Sequence, residues 1–128
     1  MIVLAMRTDK AEAELYLYKD GNLIATEKWH AHRELSDTIH KKIELLLASS
    51  QLTFAMVEKV IIYAGPGSFT GLRIGHSVAN AFAYGLGIPV VSVSGNEWLN
   101  DGLAQQIDTF VPVSPFYGAE ANITKPKK

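Results

Sequence analysis

The stretch from Tyr63 to Gly75, YAGPGSFTGLRIG, contains four glycines and a proline, a composition found in loops that bind phosphate. At the start of a helix, backbone N–H groups can hold an anion, and Ser68, Thr70 or Arg73 could assist them. The spacing does not fit two common nucleotide fingerprints: Gly71 is not followed by the Lys-Ser/Thr pair of a Walker loop, and the glycines read G-x-G-x-x-x-G instead of G-x-G-x-x-G. The sequence alone favours the other interpretation, a sharp strand-to-helix turn in which Ser68 caps the helix.

Other side chains suggest chemistry that their surroundings do not complete. His30 and His32 would lie on one face of a strand as half of a metal site, but the sequence offers no third ligand near them. We therefore expect surface histidines there, and solvated ones at His40 and His76 on the polar sides of helices. Ser68 has no Asp-His pair at a spacing that would activate a serine nucleophile. The sequence predicts no catalytic residue and no metal site.

The composition describes an ordinary globular protein. The chain has 128 residues, the size of one domain, and a net charge of -1, which provides no large basic field for tight nucleic-acid binding. It has no cysteine, so disulfides and thiolate metal sites are excluded. No segment approaches the ~20 apolar residues that a membrane-spanning helix needs. We expect a cytoplasmic protein that does not enter a membrane.

The loop must be positioned by strands and helices that hydrophobic periodicity predicts. Residues 2–6, 14–18 and 23–29 indicate an antiparallel meander with a tight turn at KDGNL. Ser36 is predicted to cap a helix with one buried stripe, formed by Leu35, Ile39, Ile43, Leu46 and Leu47 and excluding Leu45. Two continuously apolar strands are predicted over residues 60–64 and 89–93. A helix that ends at Gly87 is predicted over residues 69–86, and a further helix over residues 96–106. A last strand is predicted over residues 110–113. This order predicts an α/β fold with helices on a mixed sheet.

The helix over 69–86 has an unusually wide apolar arc. At about 100° per residue, two neighbouring rows and two flanking residues cover roughly 200° of its surface. The rows are Ile74, Val78, Phe82 and Leu86, then Gly71, Gly75, Ala79 and Ala83, with Leu72 and Ala81 beside them. Such a helix has its second side against a partner or against the first helix of the same chain. We favour a partner whose backbone approaches the small residues, and two helix pairs could form a four-helix interface.

The segment GPGSFTGLRIG closely resembles the signature of the TsaB (YeaZ) family, and IVLAM, DGNLIATE and LGIPVVSVS resemble its other segments. The resemblance covers Ile2 to about Val113. It implies a single ribonuclease-H-like lobe of the ASKHA (actin-like ATPase) fold over residues 1–113 and a short tail over residues 114–128. The second lobe that family members usually carry is absent from this sequence.

The resemblance implies a non-catalytic scaffold that binds a TsaD-type transferase during synthesis of threonylcarbamoyladenosine at position 37 of tRNA. The resemblance also implies that a TsaE-type ATPase joins the assembly and that tRNA is contacted only within it. Lys125, Lys127 and Lys128 could take part in that contact. No cofactor is expected. TsaB and TsaD pair through helices of their N-terminal lobes, so self-association through the same surface is expected without the partner. The interface candidates are Phe69, Leu72, Ile74, Gly75, Val78, Ala79, Phe82, Ile39 and Ile43. The signature loop comprises Gly65, Pro66, Gly67, Ser68, Thr70, Gly71 and Arg73.

Two departures from the family pattern argue against autonomous catalysis. Family members begin with a strand ending in Asp-Thr-Ser, and Arg7 stands at the aspartate position here. A guanidinium cannot bind a metal, although it could neutralise an anion, and Asp9 is expected to point elsewhere. A nucleotide cleft between two lobes cannot form in a single-lobe chain. The alternatives that remain are a nucleotide-binding ASKHA enzyme and a structural homodimer unrelated to tRNA.

Overall fold

Three antiparallel strands form the first half of the sheet. The computed structural model describes residues 1–116, apart from the side chain of His32. In it β1 spans Ile2–Arg7, β2 Glu12–Lys19 and β3 Asn22–His30. The predicted turn lies between β2 and β3, where Asp20 and Gly21 adopt φ angles of 51° and 82°. The meander predicted from the sequence is therefore confirmed.

Two parallel strands complete the sheet. β4, Lys59–Tyr63, lies beside β1, and β5, Val90–Val93, lies beside β4. The five strands follow the order β3-β2-β1-β4-β5, with antiparallel pairing in the meander and parallel pairing in the rest. All five residues of β4 are buried, as expected for a strand covered on both faces. The α/β fold with a mixed sheet is confirmed.

Helices cover both faces of this sheet. α1, Leu35–Ser49, and α2, Phe69–Leu86, pack on one face, where the larger core cluster lies. α3, Trp98–Ala104, packs on the other, with Trp98 against Tyr16 and Tyr63 at ring-centroid distances of 5.9 and 5.7 Å. Trp98 is therefore part of the core on this second face. Among residues 1–116, no helix is long and apolar enough to cross a membrane.

The helix boundaries follow from the sequence except at the start of α1 and at both ends of α3, which is predicted over residues 96–106 and spans Trp98–Ala104. The five residues predicted to form the stripe of α1 are its buried residues, while Leu45 is 52% exposed. α2 has the predicted bounds, and it ends at Gly87, whose φ of 68° is easiest for glycine. Ser36 does not cap α1: a 3-10 turn over His32–Glu34 leads directly into the helix, and Glu34 is at the cap position without a side-chain hydrogen bond.

The last predicted strand does not form. Residues 110–113 have no regular secondary structure, and Pro112 has no N–H group to donate to a strand ladder. The Asn80 side chain binds this segment instead, donating to Val113 O and accepting from Val113 N, both at 2.9 Å. Further on, Phe116 N donates to Ala64 O at 2.7 Å. The remainder of the predicted tail, with its three lysines, lies outside the described residues.

Candidate partner-binding surface

The glycine-rich loop packs on the segment of its own chain that follows β1. Ser68 N donates to Asp9 O at 2.7 Å, and the Ser68 hydroxyl accepts from Gly71 N at 3.4 Å. Thr8 is buried, and its hydroxyl donates to Gly71 O at 2.8 Å. The loop is therefore a strand-to-helix turn with Ser68 as its N-cap, which confirms that interpretation of the sequence.

The glycines of this region leave room for Thr8 and Asp9. A Cβ atom on Gly67 would overlap Asp9 Cβ, one on Gly71 would overlap Thr8 O, and one on Gly75 would overlap Thr8 Oγ1. Each overlap is closer than the 3.0 Å that real Cβ atoms keep from neighbours. The prediction that Gly71 and Gly75 admit the backbone of a partner is wrong, because Thr8 of the same chain already occupies that space.

Arg7 and Asp9 form a two-point ion pair at the end of β1. Arg7 Nε lies 2.7 Å from Asp9 Oδ1, and a terminal guanidinium nitrogen lies 3.2 Å from Oδ2. The guanidinium also lies over the Tyr63 ring, 3.9 Å from its centroid. The hydrogen bonds to Asp9 raise the pKa of Arg7 above its ordinary value. Asp9 thus faces Arg7, contrary to the expectation that it points elsewhere.

Among residues 1–116, no three histidine or acidic side chains come together as a metal site. His30 is exposed at the end of β3, and the side chain of its predicted companion His32 lies outside what the structure describes. His40 is exposed on α1, as predicted.

His76 is buried on the side of α2 that faces β5, whereas the sequence predicted a solvated side chain. Its Nδ1 lies 2.8 Å from Leu72 O and its Nε2 lies 2.9 Å from Ser92 Oγ, so both ring nitrogens have partners. Burial lowers the pKa of His76 below its ordinary value. The spacing of the buried residues Leu72, His76, Ala79 and Ala83 is itself helical, and it could have identified this face had histidine been counted as a core residue.

Lys59 is a buried cation that the sequence reasoning missed. Its ammonium group donates to Gly102 O and Gln105 O, both at 2.6 Å, and so binds the carbonyl end of α3. Burial lowers its pKa. The sequence offers no signal for this role, because Lys59 stands at the start of an apolar strand whose partner is 43 residues away.

The structure divides the interface candidates into two groups. Five are buried inside the chain's own core and offer no surface to a partner: Leu72, Gly75, Ala79, Ile39 and Ile43. The other four lie at least partly at the surface: Phe69, Ile74, Val78 and Phe82. Phe69 is 56% exposed, while the other three are half-buried and pack along the edge of the core. The accessible part of the predicted surface therefore comprises the edge of α2 formed by Ile74, Val78 and Phe82, and Phe69 at the start of the helix.

A groove runs between the first halves of α1 and α2 and has a volume of about 400 Å³. Its lining comprises Ser36, His40, Thr70, Arg73, Ile74, Ser77 and Val78. Half-buried Ile74 and Val78 provide the apolar part, and hydroxyl groups and two basic side chains surround it. We call this the α1–α2 groove. Chemically, it can accept an apolar side chain between polar groups that hydrogen-bond to a partner.

The chain is similar to known proteins whose names refer to tRNA modification. A model of the family described as TsaD, tRNA N6-adenosine threonylcarbamoyltransferase, matches residues 26–116. The chain is 38% identical over 99 residues to the tRNA threonylcarbamoyladenosine biosynthesis protein TsaB of Haemophilus influenzae, an alignment that covers 73% of this chain and 39% of that protein. Identity to TsaB of Bacillus subtilis is 29% over 99 residues, covering 77% and 43%.

A solved structure agrees with these sequence relatives. The structure of YeaZ from Pseudomonas aeruginosa superposes with a TM-score of 0.68 at 26% identity, covering 73% of this chain and 43% of that one. The chain therefore spans about two fifths of the length of the relatives it matches.

Proposed function

The chain belongs to the family that the TsaD model describes and, by its curated relatives, to the TsaB (YeaZ) group, and from this premise we propose that it acts in threonylcarbamoyladenosine synthesis on tRNA. Its role in the proposal is that of a non-catalytic lobe that binds a TsaD-type transferase. The relatives that suggest this role are longer than this chain, so the surface that binds the transferase must lie within the residues present here.

The observation that carries the proposal is the apolar edge of α2 beside the α1–α2 groove. Phe69 is 56% exposed, and Ile74 and Val78 keep a smaller part of their surface exposed along the groove. Covering apolar surface contributes about 25 cal/mol per Å², so covering the exposed parts of these side chains favours association with another protein. Ile74 and Val78 are four residues apart and therefore lie on one edge of α2, which suits a partner that presents a helix of its own.

Two features, one in the loop and one at the end of β1, support a binding role over catalysis. The Ser68 amide at the start of α2 already donates to Asp9 O, so it is engaged within the chain instead of facing a phosphate group. The Arg7 guanidinium and the Asp9 carboxylate satisfy each other, and the guanidinium stacks on Tyr63. A carboxylate held in this way is a poor starting point for a metal site, because the metal would have to displace a charged partner.

In the proposed assembly a TsaE-type ATPase and tRNA join the pair. When the transferase is absent, two copies of the chain associate through the α1–α2 groove. Sedimentation equilibrium of the protein alone tests this last point: a concentration-dependent dimer is expected, and a monomer at all concentrations would remove the homodimer from the proposal.

Affinity purification of the chain with the TsaD-type transferase of the same organism tests the proposed function. Val78→Arg should abolish the complex, because it places a charge in the apolar part of the groove. Leu45→Arg is the matched control, since Leu45 is an exposed apolar residue of α1 outside the buried stripe. A complex that tolerates Val78→Arg would contradict the interface, and the absence of any wild-type complex would contradict the function.

Calorimetry with MgATP distinguishes the proposal from a nucleotide-binding enzyme. The intact chain should release no heat of binding at micromolar to millimolar ATP. Magnesium-dependent binding with micromolar affinity would favour the enzyme instead.

A further inference from the structure

Arg73 places a positive charge at the rim of the α1–α2 groove. It is exposed, and its guanidinium carbon lies 5.5 Å from the centroid of the Phe69 ring. None of the ion pairs within the described part of the chain includes Arg73. A guanidinium offers a rigid, planar set of donors that suits a carboxylate, and here that capacity is unused by acidic groups of residues 1–116.

Within the described part of the chain, the lining of the groove supplies no negative charge to balance Arg73. The lining residues of this part provide hydroxyl groups, His40 and two apolar side chains, but no aspartate or glutamate. The acidic residues next to the lining positions of α1 are Asp37 and Glu44, both exposed, and Glu44 pairs with Lys41 at 3.3 Å. The groove therefore combines an apolar floor with a basic rim, and its complement is an apolar surface that carries an acidic group.

Building on the proposed function, we infer that the TsaD-type transferase presents an aspartate or glutamate to Arg73 and an apolar side chain to Ile74 and Val78. The Phe69 ring lies on one side of the guanidinium, so a bound partner would shield the resulting ion pair from water on the other side. Shielding strengthens an ion pair, and charge pairs at interfaces also select partners and speed association.

Calorimetric titration of the full chain with the transferase tests this inference. Arg73→Met should weaken binding about 10-fold and Arg73→Glu about 100-fold or more. Raising NaCl from about 50 to 500 mM should weaken the wild-type complex and leave the Arg73→Met complex nearly unchanged, because only the first contains the ion pair. Lys19→Glu is the control for net charge, since Lys19 is exposed at the end of β2.

Charge reversal on the transferase completes the test. Changing the acidic residue that contacts Arg73 to arginine should restore binding to Arg73→Glu and weaken binding to the wild type. A tight wild-type complex that is indifferent to Arg73→Met and to salt would overturn this inference while leaving the proposed function intact. Absence of any wild-type complex would overturn both. Self-association that requires Arg73, without binding to the transferase, would identify a second copy as the occupant and overturn the choice of partner.

Discussion

Replacing Gly75 with alanine tests whether the small residues of α2 serve packing within this chain. The added Cβ would overlap Thr8 Oγ1 and lie 3.0 Å from Thr8 Cβ. Thr8 is buried and its hydroxyl donates to Gly71 O at 2.8 Å, so it cannot move without disturbing that hydrogen bond. A second glycine of the same helix, Gly85, serves as the matched control, because a methyl group added there would meet no atom within 4 Å.

The two substitutions are expected to change the free energy of unfolding in opposite directions. Alanine favours a helix over glycine by about 0.5–1 kcal/mol, and Gly85→Ala should keep this gain. For Gly75→Ala, overpacking costs about 1–3 kcal/mol and a weakened Thr8 hydrogen bond about 1 kcal/mol. The net loss is about 2 kcal/mol, which corresponds to a fall in Tm of about 8 °C.

Urea unfolding followed by circular dichroism measures the free energy of unfolding of Gly75→Ala and of Gly85→Ala. In a Thr8→Ala background, Gly75→Ala should cost about 1 kcal/mol less than in the wild type, because the hydroxyl it would overlap is gone. If Gly75→Ala proved as stable as Gly85→Ala, the small-residue row would not face Thr8, and its assignment to the chain's own core would be refuted.

Three further substitutions test individual contacts. Burial lowers the pKa of His76, so on acidification the unfolded chain binds that proton before the folded chain does. The free energy of unfolding should therefore decrease as the pH falls below about 6.5 and should keep the full contribution of His76 above it. Urea unfolding at pH 7.5 and 5.5 should show a smaller decrease for His76→Gln than for the wild type. Asn80→Ala removes two hydrogen bonds to Val113 and should cost about 1–2 kcal/mol, with hydrogen exchange accelerated at Val113 and unchanged in β1. Lys59→Met leaves Gly102 O without its donor and should cost about 2 kcal/mol by urea unfolding, and an unchanged midpoint would contradict its role at α3.

The sequence predicts elements whose signals are local. The stripe of α1 follows from the 3.6-residue period, and the end of α2 follows from a glycine that accepts a positive φ. The segment over 110–113 has a strand-like composition, but its partner is the Asn80 side chain, 33 residues away in sequence. Contacts of this kind depend on the assembled fold, so composition alone cannot predict them.

The position of the candidate surface on α2 also depends on the assembled fold. The sequence predicts a wide apolar arc on α2, but it does not determine which row faces inward. The inward row includes Gly75 and Ala79 because Thr8 and the sheet approach them closely, which leaves Ile74 and Val78 at the edge. The ion pair between Arg7 and Asp9 does have a local signal, because side chains two residues apart lie on the same side of an extended chain.

The level of threonylcarbamoyladenosine in tRNA after depletion of this protein tests the central claim most directly. Nucleoside mass spectrometry of tRNA from depleted cells should reveal a loss of the modification. The wild-type chain and Leu45→Arg should restore it, and Val78→Arg should not. An unchanged level of threonylcarbamoyladenosine in the depleted cells would contradict the proposed function.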